Sequence, residues 1–297
     1  MSNLTFNQNG VNFGLTNEEE RGRVHSYHYK PSPLFLNKTK GRADVAGLSP
    51  KRLSENVRIF MGDVESRFTI GFEVEKNSLH RNSVREYELF CGFEQDGSCG
   101  YEAVTHVLPL MPASKWRTKV YDMMHKAEKI IDDRFSPSDR RCGGHITIAV
   151  KGMDGDDVRE AIRNYSGLFY AMFRYRLKNQ YCEYNPRMEE FNDCIHHRKY
   201  QVALVKGNTL EFRVPSRVES VKQLMRRYEL MYEMLDVAIN RPNTSFKAWV
   251  NKMTPLLMAT YDGDTDKVDV IKSLAIHFQT YISTGVKHQD ILPYLGR

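Results

Sequence analysis

Acidic and basic side chains recur at alternate positions in three short, otherwise apolar segments of this chain. These segments span residues 67–75, 144–150 and 209–214. Because side chains alternate across a strand, Glu73 and Glu75 share one face of the first segment, opposite its apolar residues. The same alternation pairs His145 with Thr147 on one face of the second segment and Glu211 with Arg213 on one face of the third. The pattern predicts a sheet whose polar face is a reaction surface.

Carboxylates at this spacing are suited to holding a divalent cation beside phosphate oxygens. Glu73 and Glu75 would lie about 6.5 Å apart along a strand, too far to share one proton but free to ligate a cation each. Mg²⁺ prefers one or two carboxylates together with water and phosphate oxygens. Glu102 and Glu211 are further carboxylates on predicted strands, and Arg213 has the forked shape that holds a phosphate.

Each of these features also has an ordinary structural explanation. A Glu-x-Glu pair is common on solvated strands, and Glu211 with Arg213 can be a simple ion pair. His145 could ligate a metal or donate to a phosphate, but a single histidine on a strand is often structural. Their joint occurrence, with Gly143 and Gly144 beside them, favours a site over a solvated sheet face.

Strands and long helices follow one another in runs after residue 65, without strict alternation. Beyond the three segments above, strands are predicted at residues 87–93 and 101–107. Helical spacing is found at residues 114–134, 156–180, 216–239 and 268–282. This order predicts an α+β fold, a mainly antiparallel sheet with helices packed on one face and the polar strand faces on the open side.

Two short motifs predict where helices begin. Ser216 and Glu219 stand three residues apart, as in a capping box, which predicts a helix that starts there. Residues 262–266, Asp-Gly-Asp-Thr-Asp, resemble the start of a calcium loop, but the twelfth position is Ser273, where such a loop needs a bidentate Glu. The segment therefore predicts a turn that caps the final helix.

Composition divides the chain into three parts. Residues 1–65 are predicted to form an irregular, basic arm with one short helix near residues 50–60. Residues 66–240 are predicted to form a central domain that carries the polar strand faces, and residues 241–297 a helical extension. The formal net charge of +6 favours an anionic ligand such as a nucleotide and also permits weak association with nucleic acid.

Composition also limits the cellular setting that we expect. No apolar run approaches the roughly 18 residues of a membrane helix, and the N-terminus lacks the pattern of a secretory signal. The five cysteines are odd in number and form no Cys-x-x-Cys, which favours scattered core thiols over disulfides or zinc. We expect a cytoplasmic protein without a membrane segment.

The ordered blocks of this sequence resemble the amidoligase family. That family belongs to the carboxylate–amine ligase superfamily, which includes relatives of glutamine synthetase and glutamate–cysteine ligase. The resemblance covers about residues 68–235. The matching blocks are residues 71–75, 96–102, 142–147, 174–182 and 209–213, with Tyr200 before the last of them.

The resemblance implies a curved antiparallel sheet, like the glutamine synthetase catalytic domain, that binds ATP and Mg²⁺ on its concave face. The implied reaction is formation of an amide or peptide bond through an acyl phosphate. The substrates would be a carboxylate and an amine supplied by small molecules, peptides or proteins.

Site roles are implied by the same resemblance, position by position. The implied metal ligands are Glu73, Glu75, Glu102 and Glu211. The implied catalytic residues are Arg213, Glu102 and His145. The nucleotide would contact His145, Arg213, Arg174 and Arg176, and the substrate end would include Asp96 and Ser98.

One departure from the family pattern leaves alternatives open. Family members have two histidines in a Gly-x-His-x-His block, whereas here the second position is Thr147. The site would then use fewer protein ligands, or catalysis would be weakened or lost. A catalytically inactive relative that serves as a binding or assembly protein is one alternative. A basic nucleic-acid-binding protein, whose binding would be salt-sensitive, is the other.

Overall fold

A computed structural model describes residues 5–7, 10–12, 67–80, 89–96, 98–105, 108–182, 202–206 and 209–295, with backbone alone for 5–7, 10–12 and 91–96. The chain divides into two compact units. The first unit comprises residues 1–152 and 216–225, and the second comprises residues 153–215 and 226–297. The predicted helix near residues 50–60 and the predicted turn residue Gly97 lie outside the described residues.

Helices and strands alternate irregularly along the chain. The strands of the first unit are β1 Thr5–Asn7, β2 Gly10–Asn12, β3 Phe68–Lys76, β4 Phe90–Asp96, β5 Gly100–Thr105, β6 Leu108–Leu110 and β7 Ile146–Val150, with helices α1 Lys115–Lys126 and α2 Glu128–Ile131 between β6 and β7. The later elements are α3 Gly155–Ile162, α4 Gly167–Phe173, β8 Ala203–Lys206, β9 Thr209–Phe212, α5 Val221–Leu235, α6 Phe246–Lys252, α7 Thr254–Thr260 and α8 Thr265–Thr284. A π-helical turn, Asp236–Asn240, follows α5.

The sheet of the first unit is antiparallel throughout. Its strand order is β4-β5-β3-β7, and β6 pairs with the first residues of β3, while β1 and β2 pair with each other. The apolar residues of β3 alternate along one face and are buried, as their period of two predicts; they are Phe68, Ile70, Phe72 and Val74. The predicted α+β class with an antiparallel sheet and helices is confirmed.

Lys76, at the end of β3, holds the last residue of helix α2 against this sheet through a hydrogen bond. Its side chain is fully buried, and Nζ donates to the carbonyls of Ile131 (2.5 Å) and Val218 (2.7 Å) and to the Asp133 carboxylate (2.8 Å). Burial lowers the pKa of Lys76, and Asp133 offsets part of that effect. Because Lys76 shares its face with the apolar residues of β3, α2 ends on the side away from the acidic face.

Two predicted helices differ from the structure: one begins later than predicted, and the other is divided into two helices. Ser216 forms an isolated bridge with Gly143, so it cannot cap a helix, and α5 begins five residues later at Val221. There the side chain of Ser220 accepts from the backbone N–H of Gln223 (3.2 Å). The capping box predicted at Ser216 is therefore wrong, because that backbone is used in an extended pairing.

The long helix predicted at residues 156–180 is broken into α3 and α4. Gly167 begins α4 against α8, where its N–H donates to the side chain of Gln279 (3.0 Å). A Cβ at Gly167 would lie 2.5 Å from the carbonyl oxygen of Ala275. This close packing of two helices, which sequence periodicity does not report, explains the break.

The hairpin β8–β9 and helix α4 share the core of the second unit. Phe169 of α4 packs on Phe212 of β9, with ring centroids 4.6 Å apart. The predicted cap of the final helix is confirmed, since the Asp264 side chain accepts from the backbone N–H of Lys267 (3.0 Å) at the start of α8.

The three cysteines with described side chains, Cys99, Cys142 and Cys182, are buried thiols outside any disulfide, as predicted. Within the described ranges, every helix is too short or too polar to cross a membrane.

Candidate metal centre

The acidic face of the central strand β3 continues onto its neighbours β5 and β7. Glu75 stands opposite Glu102 in the β3–β5 register. The N–H of Glu73 donates to the carbonyl of His145 (3.0 Å), which extends the β3–β7 pairing by one residue. Residues directly opposite in an antiparallel pair point to the same side. All four side chains therefore share one face, and all four residues are buried, at 5–6% exposure.

The imidazole of His145 lies between two carboxylates. Its Nδ1 contacts Glu73 Oε2, and its Nε2 lies 3.4 Å from Glu75 Oε1. One ligand atom from each of the three residues falls within 4.8 Å of the other two. The predicted grouping of Glu73, Glu75 and His145 is thus present in the fold.

Gly143 packs against Glu75 and His145 of this cluster. Its backbone N–H donates to Glu75 Oε2 (2.6 Å). A Cβ at this position would lie 3.0 Å from Glu75 Oε1 and 3.1 Å from His145 Nε2, so a larger residue would displace both groups. Among the described residues, Glu75 has these two partners and no lysine or arginine partner.

Thr147 occupies the position where the family pattern has its second histidine. It stands opposite Gly71 in the β3–β7 register, on the face of Glu73 and His145. Its Oγ1 is buried and has no hydrogen-bond partner within the described part of the chain. Because buried hydroxyls are normally satisfied, this oxygen is a further polar atom that a bound group could engage.

These residues fit a divalent cation. Two carboxylates and an imidazole form a donor set that suits hard or borderline metal ions. The glycine leaves space that a Cβ would fill, and the Thr147 hydroxyl is unsatisfied. A proton can hold the same arrangement, since an imidazolium between two carboxylates is also stable. A metal ion and a proton would therefore compete for this one site.

The second unit pairs its predicted site residues with each other. Glu211 is 1% exposed, and its carboxylate contacts Lys206 Nζ and lies 2.5 Å from an Arg213 nitrogen. The hairpin register, which pairs Lys206 with Thr209 and Leu204 with Glu211, places Lys206 diagonally across from the carboxylate. Glu211 thus forms ion pairs with Lys206 and Arg213. A metal-ligand role for Glu211 stays a prediction.

Sequence reasoning missed Lys206. The available signal was the pair of residues between Lys206 and Thr209, Gly-Asn, which predicts a two-residue hairpin loop. That loop length fixes the register and hence brings the lysine to Glu211.

The remaining predicted residues lie elsewhere in their own units. Arg174 is buried, with its guanidinium 4.3 Å from the ring centroid of Tyr175, and Arg176 is half-buried in the same 3₁₀ turn. Asp96 ends β4, and Ser98 is exposed in the following turn. Their nucleotide-binding and substrate roles stay predictions.

No protein-family model matches the sequence, and no curated protein is significantly similar to it. The site geometry and the short sequence blocks are therefore the features of this chain that indicate a function.

Proposed function

We propose that this chain is a metal-dependent ligase that uses ATP to join a carboxylate to an amine. The observation that carries the metal site is the buried Glu73–His145–Glu75 cluster, whose ligand atoms lie within 4.8 Å of one another. The choice of ATP and Mg²⁺, and the roles of Glu211 and Arg213, rest on the sequence resemblance to amidoligases.

The protein's own contribution is a fixed set of oxygen and nitrogen donors. Glu73, Glu75 and His145 would hold a divalent cation, which neutralises charge on phosphate oxygens during phosphoryl transfer. The Gly143 N–H holds one oxygen of Glu75 and leaves the other beside His145. Burial strengthens these electrostatic interactions and excludes water from the donors.

The proposed reaction has two transfers. An oxygen of the carboxylate substrate bonds to the γ-phosphorus of ATP, and the bond from that phosphorus to the leaving oxygen of ADP breaks. The amine nitrogen then bonds to the acyl carbon, inorganic phosphate leaves, and the nitrogen loses a proton. Glu102, which lies opposite Glu75 on the same face, would accept that proton.

Metal and nucleotide binding provide the first test. Mn²⁺, a paramagnetic substitute for Mg²⁺, is titrated into the full chain with and without ATP, for wild type, Glu75→Gln and His145→Gln. Glu219→Gln is the matched control, since that carboxylate is exposed and paired with Arg217. We expect metal-dependent ATP binding in wild type and control and its loss in both site variants.

Hydroxylamine tests the chemistry without knowledge of the natural amine. It attacks an acyl phosphate to give a stable hydroxamate, so carboxylates are screened in pools with ATP and Mg²⁺. Hydroxamate formation that requires Glu75 supports the ligase.

Failure of the binding test would redirect the assignment. Absence of ATP binding by folded wild type would overturn the ligase proposal and favour the inactive binding protein. Salt-sensitive binding to DNA or RNA that is unchanged in Glu75→Gln would instead favour the nucleic-acid-binding alternative.

A further inference from the structure

Arg174 is a buried cation of the second unit that forms no ion pair with a carboxylate among the described residues. It is 7% exposed and begins the 3₁₀ turn that follows α4. Its Nη1 donates to the carbonyl of Ala171 (2.9 Å), and its Nη2 donates to the hydroxyl of Tyr175 (3.1 Å). A guanidinium carries five N–H donors, so these two bonds leave most of the donors over. Nε is one of them, since it is buried and has no hydrogen-bond partner in the described part of the chain.

Two tyrosine rings lie against this guanidinium. Its central carbon is 4.3 Å from the ring centroid of Tyr175 and 5.6 Å from that of Tyr294, and the two rings pack edge to face with centroids 5.5 Å apart. An aromatic face attracts a cation that lies over it, but the N–H bonds of a guanidinium point outward in its own plane. The rings therefore compensate part of the charge and do not supply the oxygen acceptors that the N–H groups need.

The phenol groups near Arg174 add donors to the same place. The Tyr175 hydroxyl accepts from Arg174, so its own proton needs another acceptor, and the described residues provide none. Burial raises the pKa of Tyr261, the residue after α7, to about 12, although Arg174 acts in the opposite direction. The Tyr261 phenol is therefore protonated at neutral pH and does not neutralise Arg174. A cation surrounded by protonated phenols is a site rich in donors.

This group of side chains reaches the surface of the second unit. Tyr175 is 72% exposed, and Tyr294 is half-buried in the segment after α8. Exposed side chains change rotamer within picoseconds to nanoseconds, so a small rotation of the Tyr175 ring would give a solute access to Nη2. An oxygen that replaces the Tyr175 hydroxyl as the acceptor of Nη2 can also accept the proton of that hydroxyl.

We propose that Arg174 and the Tyr175 hydroxyl bind one oxyanion, the phosphate or carboxylate group of a small molecule. The planar fork of a guanidinium matches two oxygens of either group, and a buried cation gains most from a charged acceptor. The resemblance to amidoligases implies a nucleotide contact for Arg174, whereas this site requires no metal ion. The proposal is therefore independent of the ligase function.

Anion titration of the full chain, in magnesium-free buffer that contains a chelator, tests the proposal. Inorganic phosphate, phenyl phosphate and benzoate are titrated by calorimetry into wild type, Arg174→Gln, Arg174→Lys and Tyr175→Phe. Arg241→Gln is the matched control, because Asp236 already accepts two hydrogen bonds (2.9 and 2.6 Å) from that guanidinium. We expect one anion per chain and an affinity lower by about tenfold or more in Arg174→Gln. The loss should be smaller in Arg174→Lys and Tyr175→Phe and absent in the control.

The separate arms of the titration keep the test decisive. The ratio of the affinities for phenyl phosphate and benzoate identifies the group that the site accepts. Tyr175→Phe changes an exposed side chain, so it tests binding even if an Arg174 variant unfolds. Glu75→Gln should bind these anions as wild type does, so a failure of the metal site and a failure of this site are distinguishable. Binding by folded wild type weaker than about 10 mM, or equal affinity in wild type, Arg174→Gln and Tyr175→Phe, would overturn the proposal and leave Arg174 a structural cation.

Discussion

Two buried carboxylates, Glu75 in the first unit and Glu211 in the second, are accommodated in opposite ways. Glu211 lies between Lys206 and Arg213, so the chain itself neutralises its charge. Glu75 contacts an imidazole and a backbone amide but no lysine or arginine among the described residues. A buried ion needs a compensating charge. The charge of Glu211 is therefore already compensated, whereas the surroundings of Glu75 are suited to an added cation.

The largest effect on stability is expected at the compensated carboxylate. Glu211→Ala would remove the carboxylate that Lys206 and Arg213 contact. It should lower the free energy of unfolding by about 3 kcal/mol, the low end for a buried pair because Lys206 is partly exposed. Urea denaturation measures the change. Glu160→Ala, an exposed carboxylate beside Arg159, should cost less than about 0.5 kcal/mol. Equal costs for the two variants would contradict the comparison.

Substitution of Gly143 is expected to damage the uncompensated site directly. In Gly143→Ala the new Cβ would lie 3.0 Å from Glu75 Oε1, which should lower the free energy of unfolding by about 2 kcal/mol and weaken Mn²⁺ binding. Gly152→Ala serves as the control, because its Cβ meets nothing within 4 Å and its cost arises from a φ of +82° alone. Unchanged Mn²⁺ affinity in Gly143→Ala would separate the glycine from the metal site.

Tyr261 tests the balance between burial and nearby positive charge within the second unit. Burial raises its pKa to about 12, although Arg174 acts in the opposite direction. The unfolded phenol loses its proton from about pH 10, whereas the folded one keeps it, so the free energy of unfolding should fall by about 1 kcal/mol at pH 11. The fall should be smaller by that amount in Tyr261→Phe, because Tyr165, whose pKa burial also raises, still contributes. A phenol that titrates near pH 10 in the folded protein would show that Arg174 dominates.

The smallest stability effect is expected at Glu75 itself. Glu75→Gln removes a like charge beside Glu73 while keeping an acceptor for the Gly143 N–H, so the free energy of unfolding should change by less than about 0.5 kcal/mol. Glu211→Gln should cost clearly more. Similar losses in the two variants, measured without metal by urea denaturation, would mean that Glu75 is compensated as fully as Glu211.

Sequence reasoning identified the elements more securely than their ends. The period-two pattern predicted β3, β7 and β9, because alternation records which face is buried. The capping-box motif failed at Ser216 and the helical periodicity failed at Gly167, where a long-range bridge and a helix–helix contact decided the local backbone. Local patterns carry no information about such distant partners.

The candidate site divides in the same way. The sequence by itself determined that Glu73, Glu75 and His145 lie on polar strand faces, since strand geometry fixes which side chains share a face. Only the tertiary structure decided that His145 lies between both carboxylates, because antiparallel register joins residues about seventy positions apart. The tertiary structure likewise assigned Lys206 to Glu211 and brought Tyr294 to Arg174, since pairing and chain reversal depend on contacts that no local pattern contains.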